Sequence, residues 1–152
     1  MSKNGVEILY RERVLPGLSF YVATIFVPVA IYLIVLAFSA DAAIIALIAA
    51  EILIVLISAI ASPVIELSAV NLRVGKANLP LAVLGETLPI ARQDAFNERG
   101  RNLNPAAFVR FQIGVKGLIK IQVNDEADPT PYLLFSSRRP QQLAELVNKL
   151  TS

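Results

Sequence analysis

Residues 17–62 read GLSFYVATIFVPVAIYLIVLAFSADAAIIALIAAEILIVLISAIAS and carry two charged side chains, Asp41 and Glu51. Upstream, no charge stands between Val14 and Ala40; downstream, the next after Glu51 is Glu66. Two spans of 22 residues fit these limits, Gly17 to Phe38 and Asp41 to Ser62. At about 1.5 Å per residue each makes about 33 Å of helix, enough to cross a bilayer core of about 30 Å. Buried helices of a soluble protein are the competing reading. Such helices almost always keep a polar stripe, and neither span has one.

Composition agrees. The 152 residues are 55% hydrophobic and 17% charged, with a mean hydropathy of +0.61. Soluble domains run at about 45–50% apolar and about 25% charged. Cysteine and histidine are absent, which removes disulfides, Cys/His metal sites, Cys and Ser-His nucleophile systems and histidine pH switches. No catalytic, cofactor-binding or metal-binding residues are therefore expected, and an enzyme is the weakest functional class. The net charge of +2 gives no argument for nucleic acid.

The link Ser39-Ala40-Asp41-Ala42 is so short that the two helices must be antiparallel neighbours. It holds no Lys or Arg, whereas Lys3, Arg11 and Arg13 precede the first span and eleven basic residues follow the second. The positive-inside rule then places both termini in the cytoplasm. A cleaved signal peptide ending near Ala37 and Ser39 competes, but the apolar run exceeds the ~7–15 residues of a signal core and a second span follows at once. Ala23, Ala30 and Ala37 in the first span, and Ala42, Ala46 and Ala50 in the second, offer small-residue faces for helix contact.

Glu51 stands near the middle of the second span. Its insertion costs about 2.5–3.5 kcal/mol, which the surrounding Ile and Leu side chains outweigh. In an antiparallel hairpin it falls level with Pro28. That proline has no N–H for the carbonyl of Thr24, so a protonated Glu51 could donate to the carbonyl or share the Thr24 hydroxyl. Three readings stand: a polar staple in a kinked hairpin or oligomer contact, a proton or ion site, or a shifted span that brings Glu51 nearer the surface.

Past the hairpin the chain carries 11 Lys or Arg against 8 Asp or Glu. Strand patterns cover Val64 to Val70, Leu72 to Gly75, Ala77 to Leu79, Gly85 to Ile90, Ala107 to Ile113, Ile119 to Val123 and Tyr132 to Ser136. Ala91 to Arg99 holds helix formers. Pro140 opens a last helix whose Leu143, Leu146, Val147 and Leu150 share one face. The fold class is α+β: an N-terminal segment 1–16, a transmembrane hairpin 17–62, and a domain 63–152 of about seven short strands plus a C-terminal helix. That is the element order of a pleckstrin-homology-like (PH-like) barrel.

Several motifs resemble the uncharacterised actinobacterial small membrane proteins catalogued as domain of unknown function 3093. They are Tyr10-Arg11-Glu12-Arg13, Leu72-Arg73-Val74-Gly75 with Leu79-Pro80, Asp128-Pro129-Thr130-Pro131-Tyr132 after Asp125, and Ser136-Ser137-Arg138-Arg139-Pro140. The resemblance implies two membrane helices, a cytoplasmic domain and a bacterial plasma membrane, with no activity attached.

The motifs suggest contacts rather than chemistry. Arg11 and Arg13 are lipid-headgroup candidates that also set orientation; a contact between Tyr10-Arg11-Glu12-Arg13 and the folded domain is the sharper alternative. Arg138 and Arg139, just before a helix, can hold lipid phosphate or be solvated. Asn124 to Asp128 lacks EF-hand spacing and reads as a solvated turn. The leading expectation is a non-enzymatic interaction or regulatory module at the cytoplasmic face of the plasma membrane. Its partners are the bilayer and a second copy or another membrane protein. The alternative is a transport component that uses Glu51.

Overall fold

The structure is a computed structural model that describes residues 7–125 and 128–151. It divides into two compact units. One is Leu15–Ser62; the other joins the chain up to Val14 with the chain from Pro63 onward.

The first unit is all helix. α1 (Leu18–Thr24) and α2 (Phe26–Leu36) form an apolar rod broken at Ile25, and α3 (Ala40–Ala61) returns beside α2. Pro28 accounts for the break, because the Thr24 carbonyl loses its helical donor and meets the proline ring. Ser39 caps α3 by accepting the Ala42 N–H at 3.4 Å, and Asp41 sits in the first turn, where the helix dipole favours an anion. Both rods are long and apolar enough to cross a membrane.

Their inner faces follow a coiled-coil-like spacing. Tyr21, Thr24, Pro28, Ile31 and Val35 turn inward from the first rod, and Ala43, Leu47, Ala50, Ile54 and Ser58 from the second. The alanine faces read from the sequence are only partly used: Ala23, Ala30, Ala37 and Ala42 are exposed, Ala46 and Ala50 half-buried, and Ala43 fully buried. Polar contact helps select the face. The Tyr21 and Ser58 hydroxyls lie 3.1 Å apart, and Ser58 donates to the Val55 carbonyl at 2.9 Å, so its oxygen remains to accept from Tyr21.

Among the described residues, the second unit contains eight strands in two sheets. β1 (Ile8–Arg13), β2 (Val64–Ser68), β3 (Asn71–Val74) and β4 (Ala77–Pro80) form an antiparallel meander. β5 (Leu84–Ile90), β6 (Phe108–Arg110), β7 (Leu118–Val123) and β8 (Tyr132–Ser136) form the other, in the order β5-β7-β8-β6, with β6 parallel to β8. All seven strand regions read from the sequence hold a strand. The eighth is β1, which the sequence reading placed in a separate segment 1–16. It pairs with β2 from Arg13↔Val64 to Ile8↔Ser68, so the hairpin is an insertion within one β-unit. Its inner residue Tyr10, and Val14 just after it, join the main core with Ile65, Leu67, Leu72, Ile121, Phe135 and Val147.

The last helix, α5 (Pro140–Thr151), covers β5 and β7 with Leu143, Ala144 and Val147. The short α4 (Ala95–Arg99) and the chain after it cover the opposite face of the second sheet, where Ala95, Leu118, Tyr132 and Leu134 make a second small core. β8 is therefore buried along its whole length, which explains its unbroken apolar run.

A fragment that starts at Val64 should fail to fold. It lacks Val14, worth about 1.5–3 kcal/mol of burial, and a comparable share from Tyr10, against a total stability of about 5–15 kcal/mol. Joining Val14 to Pro63 through a short Gly/Ser linker in place of Leu15–Ser62 should instead give a soluble, cooperatively folding domain. Circular dichroism melts of the two proteins check this; a folded Val64 fragment would show β1 to be dispensable.

Candidate functional site

Two stretches far apart in sequence meet at Glu12. Tyr10 and Glu12 of β1, and Val14 just after it, share the inner face while Arg11 and Arg13 point out. Glu12 Oε2 accepts from the Tyr10 hydroxyl at 2.6 Å and from Ser137 Oγ at 2.7 Å. Its Oε1 accepts the Arg138 backbone N–H at 2.7 Å. Ser137 Oγ in turn accepts the Arg139 N–H at 3.1 Å, and the Ser137 N–H donates to the Gly117 carbonyl at 3.1 Å. The turn that leads into α5 is thus held by a carboxylate from the other end of the chain.

The backbone fits this closely. A Cβ on Gly117 would collide with the Ser137 carbonyl and stand 3.2 Å from Pro140, so only glycine allows this approach. Burial, then the hydrogen bond to the Glu12 carboxylate, pushes the Tyr10 hydroxyl well above the usual phenol range. Tyr10 is therefore a fixed donor at any physiological pH. Ser137 is fully buried, so its hydroxyl has no path to a substrate in this arrangement. The cluster can hold and orient; it has no exposed nucleophile.

Each candidate from the sequence has a place. Arg11 lies 3.2 Å and Arg73 3.5 Å from Glu66, a three-strand ladder on the outer face of the first sheet. Both arginines are largely exposed, and such pairs are worth little singly. Arg13 ends β1, exposed, and Arg138 and Arg139 are exposed at the turn before α5. In the helical unit, Glu51 is half-buried on the inner side of α3, and its Oε2 is buried without a hydrogen-bond partner. The expected sharing of the Thr24 hydroxyl does not form: Thr24 Oγ1 donates to the Tyr21 carbonyl at 3.1 Å. Hydrogen bonds from the Thr130 side chain, and then from the Thr130 N–H at 2.9 Å, hold the Asp128 carboxyl below the usual range. Glu126 and Ala127, which complete that acidic loop, lie outside the described residues.

Other contacts escaped the sequence. Lys120, which alternation with Ile119 and Ile121 would turn toward solvent, meets Glu98 at 3.0 Å and lies 4.4 Å from the centre of the Tyr132 ring. Hydrogen bonds from Asn102 and Lys120 hold the Glu98 carboxyl below its ordinary range, against the opposing effect of burial. Arg99 donates to the Val115 carbonyl at 2.7 Å and sits 5.4 Å from the centre of the Phe111 ring. Tyr132 OH accepts the Asn104 N–H at 2.7 Å. Asn148 exchanges two hydrogen bonds with the Thr87 backbone, 3.3 and 3.1 Å, beside the irregularity in the β5–β7 ladder. Among the described residues, no three Asp or Glu side chains are grouped to hold a metal.

A family model described as a protein of unknown function (DUF3093) matches residues 9–147. The chain belongs to the DUF3093 family. The matched range starts on β1 and ends within α5, so it takes in both partners of the Glu12 clamp and the hairpin between them. No curated protein and no solved structure shows significant similarity to the chain.

Glu12→Ala leaves the Tyr10 and Ser137 hydroxyls and the Arg138 N–H without their acceptor. It should destabilise the β-unit by about 3 kcal/mol or more, whereas Tyr10→Phe, which removes one bond, should cost about 1 kcal/mol. Chemical denaturation of the linker-joined domain measures both. Equal losses would show that Glu12 is not the centre of the cluster.

Proposed function

We propose that this DUF3093 protein is a two-span integral membrane protein of the plasma membrane, with both termini and a PH-like β-domain on the cytoplasmic side. It acts as a non-enzymatic interaction or regulatory module. The supporting observation is the pairing of strands on either side of the hairpin. Arg13 is the register partner of Val64, and the Val14 N–H donates to the Pro63 carbonyl at 2.9 Å. Segments so paired must lie on one side of a membrane, which requires an even number of crossings between them. The exposure of large apolar side chains adds support: Leu18 and Ile60 are each 79% exposed and Phe26 75%. In water such a surface is a liability; in lipid it is the expected one. The arginines on either side of the hairpin favour the cytoplasm for the β-domain.

The chain has no cysteine, so single cysteines report topology cleanly. In intact cells, a membrane-impermeant maleimide should label Ala40→Cys and leave Lys149→Cys unlabelled until the membrane is opened. Labelling of position 149 in intact cells would overturn the orientation.

A second reading, a component of a transport system, is favoured by the unpartnered Oε2 of Glu51. With no bond at that oxygen to lose, Glu51→Leu should be neutral or stabilising for the hairpin. Under the module reading Glu51→Gln leaves any measured phenotype intact. A folded Glu51→Gln protein that has lost its phenotype would promote the transport reading instead.

A further inference from the structure

We propose that the end of the β-unit bearing Val14 and Pro63 docks on anionic phospholipid headgroups through Arg13, Lys76, Arg110, Lys116, Arg138 and Arg139. This rests on the reading of the two apolar helices as membrane spans. The six residues come from five separate segments of the chain, and short contacts bring those segments to one end. Arg13 precedes Val14, whose N–H is bonded to Pro63. Lys76 follows Gly75, whose N–H donates to the Val64 carbonyl at 2.9 Å. A Cβ on Gly75 would stand 3.9 Å from the Pro63 ring and 4.0 Å from Arg110 Nε. Glu12, one residue before Arg13, holds the Ser137-Arg138-Arg139 turn, and Gly117, next to Lys116, accepts the Ser137 N–H.

All six side chains are exposed. Two carboxylates of the same unit are already bonded: Glu12 accepts from Tyr10, Ser137 and the Arg138 N–H, and Glu66 pairs with Arg11 and Arg73. Ile113, between Arg110 and Lys116, is 66% exposed, an apolar side chain suited to the boundary of headgroup and acyl chain.

Acidic side chains stand at the opposite end. Asp125 and Asp128 lie in the connection from β7 to β8, where the Val123 N–H donates to the Pro131 carbonyl. They are the length of β8, about 15 Å, from the Ser137 turn. The chain leaves and re-enters the β-unit at the basic end. Whatever surface the hairpin enters must therefore begin within a few residues of these cations. A membrane rich in anionic lipid matches them in sign, in extent and in place.

The experiment is hydrogen–deuterium exchange on the full chain in phosphatidylcholine vesicles with and without phosphatidylglycerol. Slower exchange around Lys76, Arg110 to Gly117 and Ser137 to Arg139 is expected with the anionic lipid only. It should fade at high salt, as surface attraction does within a Debye length. The double variant Lys76→Glu with Lys116→Glu, whose two positions are exposed and outside strands and helices, should lose this protection while its core exchange stays unchanged. Equal protection in both vesicles, or protection that survives the double variant, would overturn the proposal while leaving the membrane reading intact. The same slowing produced in detergent by inorganic phosphate would assign the surface to a free anion and overturn the lipid assignment. Extraction of the chain from vesicles by carbonate would overturn the membrane reading, and this proposal with it.

Discussion

The backbone bond from the Val14 N–H to the Pro63 carbonyl closes the excursion from Leu15 to Ser62, and the β-unit depends on that closure. β1 supplies Tyr10 and Val14 to the main core and Glu12 to the turn before α5, yet it is cut off from every other strand by the hairpin. Closing a flexible loop of that length would cost about 3–4 kcal/mol beyond a constant term. A preformed antiparallel helix pair removes most of this cost, because it returns the chain beside its starting point. The hairpin serves the meander as a tight turn serves an ordinary pair of strands.

Much of this was legible. The two long apolar helices follow from length and the absence of charge. The seven later strands follow from short β-rich runs and alternation, and α5 from the spacing of Leu143, Val147 and Leu150. β1 was harder to see for a physical reason. Tyr10-Arg11-Glu12-Arg13 puts a carboxylate on the face that turns inward, and alternation alone assigns an acid to solvent. What makes Glu12 acceptable inside is Ser137 and the Arg138 N–H, about 125 positions later. No local pattern announces a partner so distant. Arginines beside a membrane span also have a ready explanation as topology signals, which hid their second position as the outer face of a strand.

The second sheet shows the same limit. Lys120 and Gln122 alternate with Ile119 and Ile121, and that pattern reads as a half-solvated strand. In the fold, α4 and the chain beyond it cover the Lys120 face, and Glu98 and the Tyr132 ring receive the ammonium group. A lysine pays little for such partial cover when its charge is paired and its stem lies on apolar surface. In the hairpin, alanine spacing correctly named helices that pack but gave the wrong face to the first rod. Alanine lets backbones approach; it does not decide which side does so. Pro28 and the Tyr21–Ser58 contact supply polar and steric preferences that outrank a run of methyl groups.

Register links these observations. In a β-strand, a slip of one residue turns every side chain to the opposite face. If β1 slipped by one, Glu12 would leave Ser137 and the Arg138 N–H, and Arg11 or Arg13 would take its place against the core. Tyr10 and Val14 would move outward together. The Arg11–Glu66–Arg73 ladder would break on the other side of the same sheet. The constraint therefore acts from both faces of β1 at once: buried hydrogen bonds and apolar burial within, charge pairing without. This fixes β1 more firmly than its six residues alone could. It also fixes where the chain leaves the β-unit, since Val14 follows the last residue of that strand. The point where the first apolar helix begins and the turn before the last helix are set by one registration.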